Sequence, residues 1–407
     1  MKWTRFDFLK SFSLLPLAAA ATKIGSATRT ENNAKVKRDL SSIYDPYVEI
    51  YPENMRHNVR QIYRAVEGRP ILAVIKNNGY GMGVVESARI MEPMDPIEGF
   101  GVVKMGEAVR LREAGIRKPI VLMTLLDERE LEEVVRLDIT PMIYTPVGDQ
   151  LERLATRLQK PISVEVKLDT GLGRLGVREG EALEFYRDLA GRRGISVRGS
   201  MITFTEAEEF DLEQIVRYNR LMERLDAEGL EYGARHAVST TPIFRHPDAW
   251  FDKVRPGIGL YGIYPEPDRQ RPKGLMDLRP AFGLKCRVIH VKKLHRGETA
   301  GYGQAFEAEE DTWLATLPIG HADGWQRGAA SCAKVRIRGE LHPVVASVSA
   351  SHSLVNLGPE TGVEIGDEAV IFDVREGSRA DDIHSACGVS TYDLLMHISP
   401  QLRRVWV

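Results

Sequence analysis

Lys76 closes the apolar run Ile71-Leu72-Ala73-Val74-Ile75 and is followed at once by Asn77-Asn78-Gly79-Tyr80-Gly81-Met82-Gly83. A lysine delivered by the end of a buried strand onto a glycine-rich turn loses part of its hydration, and burial favours the uncharged amine. That amine can attack a carbonyl or take a proton, so the position suits a nucleophile or a base. Taken alone, a strand-end lysine is more often a solvated charge with its stem laid along apolar surface. The cysteines offer no competing metal chemistry, because Cys286, Cys332 and Cys387 stand far apart with no Cys-x-x-Cys and no ligand spacing. They read as packing residues, and in an oxidising compartment any two of the three could pair.

To present Lys76 in this way the chain must alternate strands with helices. Apolar runs at 71–75, 119–123, 140–144, 162–166, 197–202 and 258–261 are predicted strands. Charged residues at helical spacing between them, as at 127–137, predict surface helices over a parallel sheet. Such βα repetition fits a closed (β/α)8 barrel or an open doubly wound sheet, and periodicity does not choose between them. After about Pro280 the texture changes to alternating strands, including 286–291 and 334–338, punctuated by glycine and proline, with no helical spacer before Ser390. A chain of 407 residues exceeds what one core usually organises, so two domains are expected.

A formal net charge of -2 and the lack of a basic stripe exclude a phosphate-backbone partner such as nucleic acid. At the N-terminus, Lys2, Arg5 and Lys10 precede the short run Ser-Leu-Leu-Pro-Leu-Ala-Ala-Ala-Ala, and Gly25-Ser26-Ala27 follows. That order is the grammar of an export signal, and the run is too short for a membrane span. The segment 4–10 also resembles a twin-arginine signal, with Phe6 where the second arginine belongs. The expected division is a signal at 1–27, a linker at 28–46, a barrel at 47–279 and a β domain at 280–407. The mature chain is expected in the periplasm, with a cytoplasmic protein bearing an N-terminal helix as the alternative.

The turn at Lys76 also carries a resemblance. Ala73-Val74-Ile75-Lys76 with Gly79-Tyr80-Gly81-Met82-Gly83 resembles the cofactor-lysine motif of alanine racemases, usually V-K-A-x-A-Y-G-H-G, with Met82 in the histidine's place. Four more stretches fall in family order: VKLDTGLGRLG at 166–176, VRPGIGLYG at 254–262, GYG at 301–303 and LPIGHADGW at 317–325. The resemblance runs colinearly from about Tyr47 to the C-terminus. It implies an N-terminal (β/α)8 TIM barrel followed by a mostly β domain, and pyridoxal 5'-phosphate as cofactor. It further implies a homodimer with active sites between subunits, and racemisation of a small amino acid, alanine first.

In that resemblance Lys76 bears the cofactor and serves one face of the α-carbon, while Tyr302 from the partner serves the other. Arg255 stands against the pyridine nitrogen, and Tyr80, Thr240, Gly257 and Ile258 cradle the phosphate. Arg174 meets the phenolic oxygen and the substrate carboxylate, and Lys167 matches a lysine that relatives can carry as a carbamate. Without the ensemble, Tyr302 reads as a turn tyrosine, Arg255-Pro256 as a loop ion pair, and Gly171 and Gly173 as turn glycines. Several family positions differ. Thr203 replaces a histidine, and Ala350, within Val348-Ser349-Ala350-Ser351-His352, falls where a Met-Asp pair meets the substrate. His321 replaces a tyrosine, and Pro400 stands where a tyrosine follows Ile-Ser. These changes predict an altered or enlarged substrate end. They leave open a racemase of other amino acids, another reaction on the same cofactor, or a cofactor-binding protein without activity.

Overall fold

The computed structural model describes residues 44–264 and 275–407. The export segment at 1–27 and most of the linker at 28–46 lie outside them. No helix among the described residues is long and apolar enough to cross a membrane.

The expected barrel is present. Strands β2 (Ile71–Val74), β3 (Ile97–Val102), β4 (Ile120–Leu122), β5 (Ile139–Ile143), β6 (Ile162–Asp169), β8 (Ile195–Met201) and β9 (Ala234–His236) follow in parallel. The short β7 (Val177–Arg178) pairs with β6 alone. The arm 253–256 closes the ring. Arg255 N–H donates to Val238 at 2.9 Å, Ile71 bridges Val254, and the N–H groups of Leu72 and Val74 donate to Val254 and Pro256 at 2.9 and 3.0 Å. With helices outside and side chains inside, β2 and β4 are buried on both faces and read as unbroken apolar runs. Leu72, Val121, Met142 and Met201 form their own cluster, while neighbours such as Ile71 and Ala73 join the larger core, a separation that follows the two-residue alternation of strands.

Several elements differ from the sequence reading. Residues 258–261 form a 3-10 turn instead of a strand, set between Gly257 and Gly262. Gly262 has φ 82° and lies where a Cβ would meet the Arg279 carbonyl at 1.8 Å, so the chain must bend there. Strand β3 escaped notice because Gly99 and Gly101 interrupt its apolar pattern; a Cβ at Gly99 would meet the Pro119 carbonyl at 2.7 Å. The helix expected at 127–137 forms over Glu128–Arg136, where Asp127 and Glu130 make a capping box and Leu131, Val134 and Val135 face inward.

Among the described residues the second sheet has nine strands. Its order is β11 (His290–Leu294), β14 (Thr312–Leu317), β17 (Ser353–Gly358), β16 (Glu340–Val345), β15 (Lys334–Ile337), β18 (Glu368–Phe372), β10 (Phe282–Arg287), β1 (Tyr47–Ile50) and β19 (Arg403–Trp406). A small ribbon pairs β12 (Thr299–Ala300) with β13 (Phe306–Glu307). Strand β1 runs antiparallel to β10 and parallel to β19, so residues 47–50 belong to this sheet and not to the barrel where the sequence reading put them. The run read as one strand at 286–291 is the end of β10 and the start of β11. A helix at Ala380–Cys387 precedes the one that begins after Ser390, whose side chain caps Tyr392 N–H. Cys387 is joined to Cys332 in a disulfide across 55 residues, while Cys286 is free and buried in β10.

Candidate active site

Lys76 lies two residues beyond β2, at the carboxyl end of the barrel, where strands deliver functional groups. The backbone after it is left-handed at Asn77, Asn78, Gly79 and Tyr80, with φ 53°, 55°, 62° and 53°. Asparagine and glycine tolerate this region best, which is why Asn-Asn-Gly occupies the turn. The Glu107 carboxylate accepts from Asn78 N–H at 2.7 Å, and the Gly83 N–H donates to the Asn78 carbonyl at 2.7 Å. Asn77 Nδ2 reaches Met396 Sδ at 3.2 Å, which ties the turn to the helix Thr391–Met396. Burial lowers the pKa of Lys76, the positive charge of Arg174 lowers it further, and Glu107 opposes them.

The cavity above the barrel has a volume of ≈ 310 Å³. It gathers Lys76, Tyr80, Lys167, Arg174, Thr240, Arg255, Gly257 and Ile258, together with Thr203. Three roomier clefts, one beside Asn54 and Tyr264, one beside Glu128 and Arg157 and one beside Tyr144 and Phe185, hold none of these residues. Arg255 is buried and has no carboxylate partner among the described residues. Its Nη1 donates to His236 Nδ1 at 2.9 Å and to the His236 carbonyl at 2.7 Å; its Nη2 donates to the carbonyls of Ile202 and Ala237 at 2.6 and 3.0 Å. Four of five N–H groups are thereby used. Burial lowers its pKa to about 10, so the guanidinium stays charged at neutral pH.

Thr240 Oγ accepts from the N–H groups of Gly257 and Gly259 at 3.0 and 3.2 Å, which leaves its own proton free to donate. A Cβ at Gly257 would come within 2.2 Å of the Tyr80 hydroxyl, so only glycine lets the backbone approach there. Burial holds the Tyr80 hydroxyl protonated, well above its ordinary pKa. Lys167 is buried and donates to the Leu168 carbonyl at 2.7 Å. Burial and the nearby charges of Arg255 and Arg174 bring its pKa down to about 7, against the pull of Asp169.

Tyr302 and Ala350 are not brought to this cavity. Tyr302 is 81% exposed on the β domain. A Cβ at Gly301 would meet Ala346 Cβ at 2.6 Å, which places the Tyr302 turn against the segment that leads to Ala350. Ala350 is exposed, and its carbonyl accepts from Ala322 N–H at 3.0 Å, beside His321. The sequence reading missed four groups. Glu107 braces the Lys76 turn, and His236 and Glu165 stand behind Arg255. Tyr392 lines the cavity as an aromatic wall, with its ring 6.3 Å from that of Tyr80. Only Glu165 gave a signal, as a charge two residues before Lys167 in an apolar run and therefore on the same inward face.

A barrel that ends one strand on a half-buried lysine of lowered pKa and lines the same cavity with a charged arginine and an anion cradle defines a class of lysine-dependent barrel enzymes. The alanine racemase N-terminal domain model matches residues 50–265, and the C-terminal domain model matches residues 281–406. The chain belongs to the alanine racemase family. It is 33% identical over 368 residues to an alanine racemase of Carboxydothermus hydrogenoformans, covering 89% of this chain and 99% of that one. To an alanine racemase of Desulforamulus reducens it is 30% identical, covering 89% and 98%. Among solved structures, alanine racemase of Clostridium difficile 630 superposes with a TM-score of 0.83 at 29% identity, over 89% of this chain and 95% of that one. The Streptomyces coelicolor A3(2) enzyme gives a TM-score of 0.83 at 27% identity, over 91% and 100%.

Proposed function

We propose that this chain interconverts L- and D-alanine with pyridoxal 5'-phosphate held at Lys76, as a homodimer whose partner supplies Tyr302. The observation that carries the reading is Arg255. A buried guanidinium with four N–H groups committed to His236 and three carbonyls keeps Nε–H for the cavity it lines, and a ring nitrogen is the acceptor that suits it. Tyr80, Thr240 and the backbone at Gly257 and Ile258 suit the phosphate, two hydroxyl donors beside a glycine that admits close approach. When bound, the cofactor supplies the electron sink that makes an α-proton acidic.

The protein's own groups do the rest. Lys76, its ammonium disfavoured by burial and by Arg174, would take the α-proton from one face in one direction of the reaction and deliver a proton to that face in the other, each time paired with transfer on the opposite face. The Tyr302 hydroxyl of a second chain serves the opposite face. Arg174 anchors the substrate carboxylate as a charged pair. Arg255 remains cationic at neutral pH, so it disfavours a second positive charge on the ring nitrogen, weakens the sink and favours return of the proton over other outcomes. We also propose an extracytoplasmic location. The charged-then-apolar N-terminal segment and the Cys332–Cys387 disulfide both suit an oxidising compartment.

The test is incubation of the full chain, loaded with pyridoxal phosphate, with L-alanine in D2O, followed by chiral separation and by NMR of the α-position. Equal amounts of D- and L-alanine with deuterium at the α-carbon are expected. Bound cofactor with L-alanine unchanged and unexchanged would overturn the reading. Serine, leucine and lysine run beside alanine measure how far the altered substrate end at His321 and Ala350 broadens the choice.

A further inference from the structure

Behind Arg255 runs a buried chain of alternating charge. His236 on β9 sets Nε2 at 2.7 Å from Glu165 Oε2 on β6. Glu165 Oε1 lies 3.1 Å from Lys253 Nζ on the closing arm, and Lys253 reaches Glu98 on β3 at 3.0 Å. His236 is completely buried, Glu165 and Lys253 nearly so, and Glu98 stands at the partly exposed end. We propose that Glu165 is a positioning residue for the racemase site: by accepting the His236 Nε2 proton it fixes one imidazole tautomer, and that tautomer holds Arg255.

The argument rests on what each group can donate. Arginine has no acceptor, so the 2.9 Å contact from Arg255 Nη1 requires a bare lone pair on His236 Nδ1. The ring proton must then sit on Nε2, and Glu165 is the acceptor placed for it. A doubly protonated ring would set an N–H against the guanidinium. Burial together with the Arg255 and Lys253 charges keeps the ring neutral, against the pull of Glu165. Burial works against an ionised Glu165, but the hydrogen bond from the neutral His236 and the charge and hydrogen bond of Lys253 hold the carboxylate ionised. The remaining charged and titratable neighbours are Arg174 and Lys167 in the cavity above, and Tyr186 and Tyr218, whose hydroxyls bond to Ser200.

The surrounding backbone is cut to seat the carboxylate. Gly199 on β8 pairs with Glu165, and a Cβ there would meet Glu165 Oε2 at 2.4 Å. Glutamine at 165 would keep the shape but could turn its amide N–H toward Nε2, driving the imidazole proton to Nδ1 and against Arg255. Arg255 would then lose one anchor of four, and the N–H it offers the cavity would lose its fixed direction.

This inference rests on the racemase reading, and its first test is independent of turnover. In the cofactor-free wild-type chain, 15N NMR of His236 at neutral pH should show a neutral ring protonated at Nε2. A ring protonated at Nδ1, or at both nitrogens, would overturn the proposal whether or not the enzyme racemises alanine. The second test is Glu165→Gln, checked for folding by its melting curve. It should shift the His236 resonances toward the Nδ1-protonated form and change the visible absorption of the bound cofactor. It should also lower kcat for alanine by about 100-fold, as a displaced electrostatic group does, with a much smaller change in KM. A Glu165→Gln chain with the wild-type tautomer and absorption would equally overturn it.

Discussion

At the barrel end of the cavity each group proposed to meet the cofactor is braced from several directions, whereas Tyr302 projects from the β domain with 81% of its surface exposed. Arg255 is tied to His236, Ile202 and Ala237, Thr240 to Gly257 and Gly259, and the Lys76 turn to Glu107 and Met396. Among the described residues Tyr302 has its glycine-flanked turn, laid on Ala346, and no side-chain hydrogen bond. The difference is what a shared site would produce. A cofactor held for the life of the protein calls for a cradle finished within one chain, while an acid delivered to a neighbour must be left uncovered on its own.

Changes at the two ends should therefore fail differently. The largest effect is expected for Lys76→Ala, which should lower alanine turnover by about 10⁴-fold and abolish the fixation of cofactor to the chain by borohydride. Tyr302→Phe should cost about 10²- to 10³-fold in turnover while leaving cofactor affinity and absorption as in the wild type. Its α-proton exchange should survive for one enantiomer and be lost for the other, as measured in D2O. A loss of bound cofactor in Tyr302→Phe would place that residue at the barrel end instead.

Lys167 tests the cost of the braced end. Its pKa is lowered from 10.5 to about 7, so the unfolded chain holds the proton up to about pH 10.5 and the folded chain releases it near pH 7. Unfolding takes up a proton between these values, and this group's contribution to stability rises with pH across that window. At pH 7 and below the lysine destabilises fully, and above 10.5 it costs nothing. In CO2-free buffer, Lys167→Met should raise the melting temperature at pH 7, and the gain should shrink toward pH 10.5. The smallest effect is expected at the cradle. Thr240→Val removes one donor and the acceptor for two N–H groups, and should weaken cofactor binding about 10-fold, from hydrogen bonds worth ~1 kcal/mol each.

How much of this was legible in the sequence follows the same division. Lys76 stood out because a strand end and a glycine-rich turn are local features, and the family motifs carried Arg174, Thr240 and Arg255 to one cavity. The His236–Glu165 contact joins residues 71 apart in sequence across barrel strands, and no local period announces such a pair. Residues 258–261 misled because an apolar run between glycines is a strand or a turn according to what lies against it, here the Arg279 carbonyl against Gly262. Strand β1 was placed with the barrel because its partners, β10 and β19, lie more than two hundred residues downstream. The Cys332–Cys387 pairing stayed open for the same reason, since proximity across 55 residues comes from tertiary packing.

The central claim is that one site needs Lys76 from one chain and Tyr302 from another. Lys76→Ala and Tyr302→Phe chains, carrying different tags and expressed together, yield a mixed dimer that can be purified through both tags. One of its two sites then has both wild-type groups, and the other has neither. The account predicts alanine racemisation at about half the wild-type rate per dimer, far above either parent. A mixed dimer no more active than its parents would contradict it.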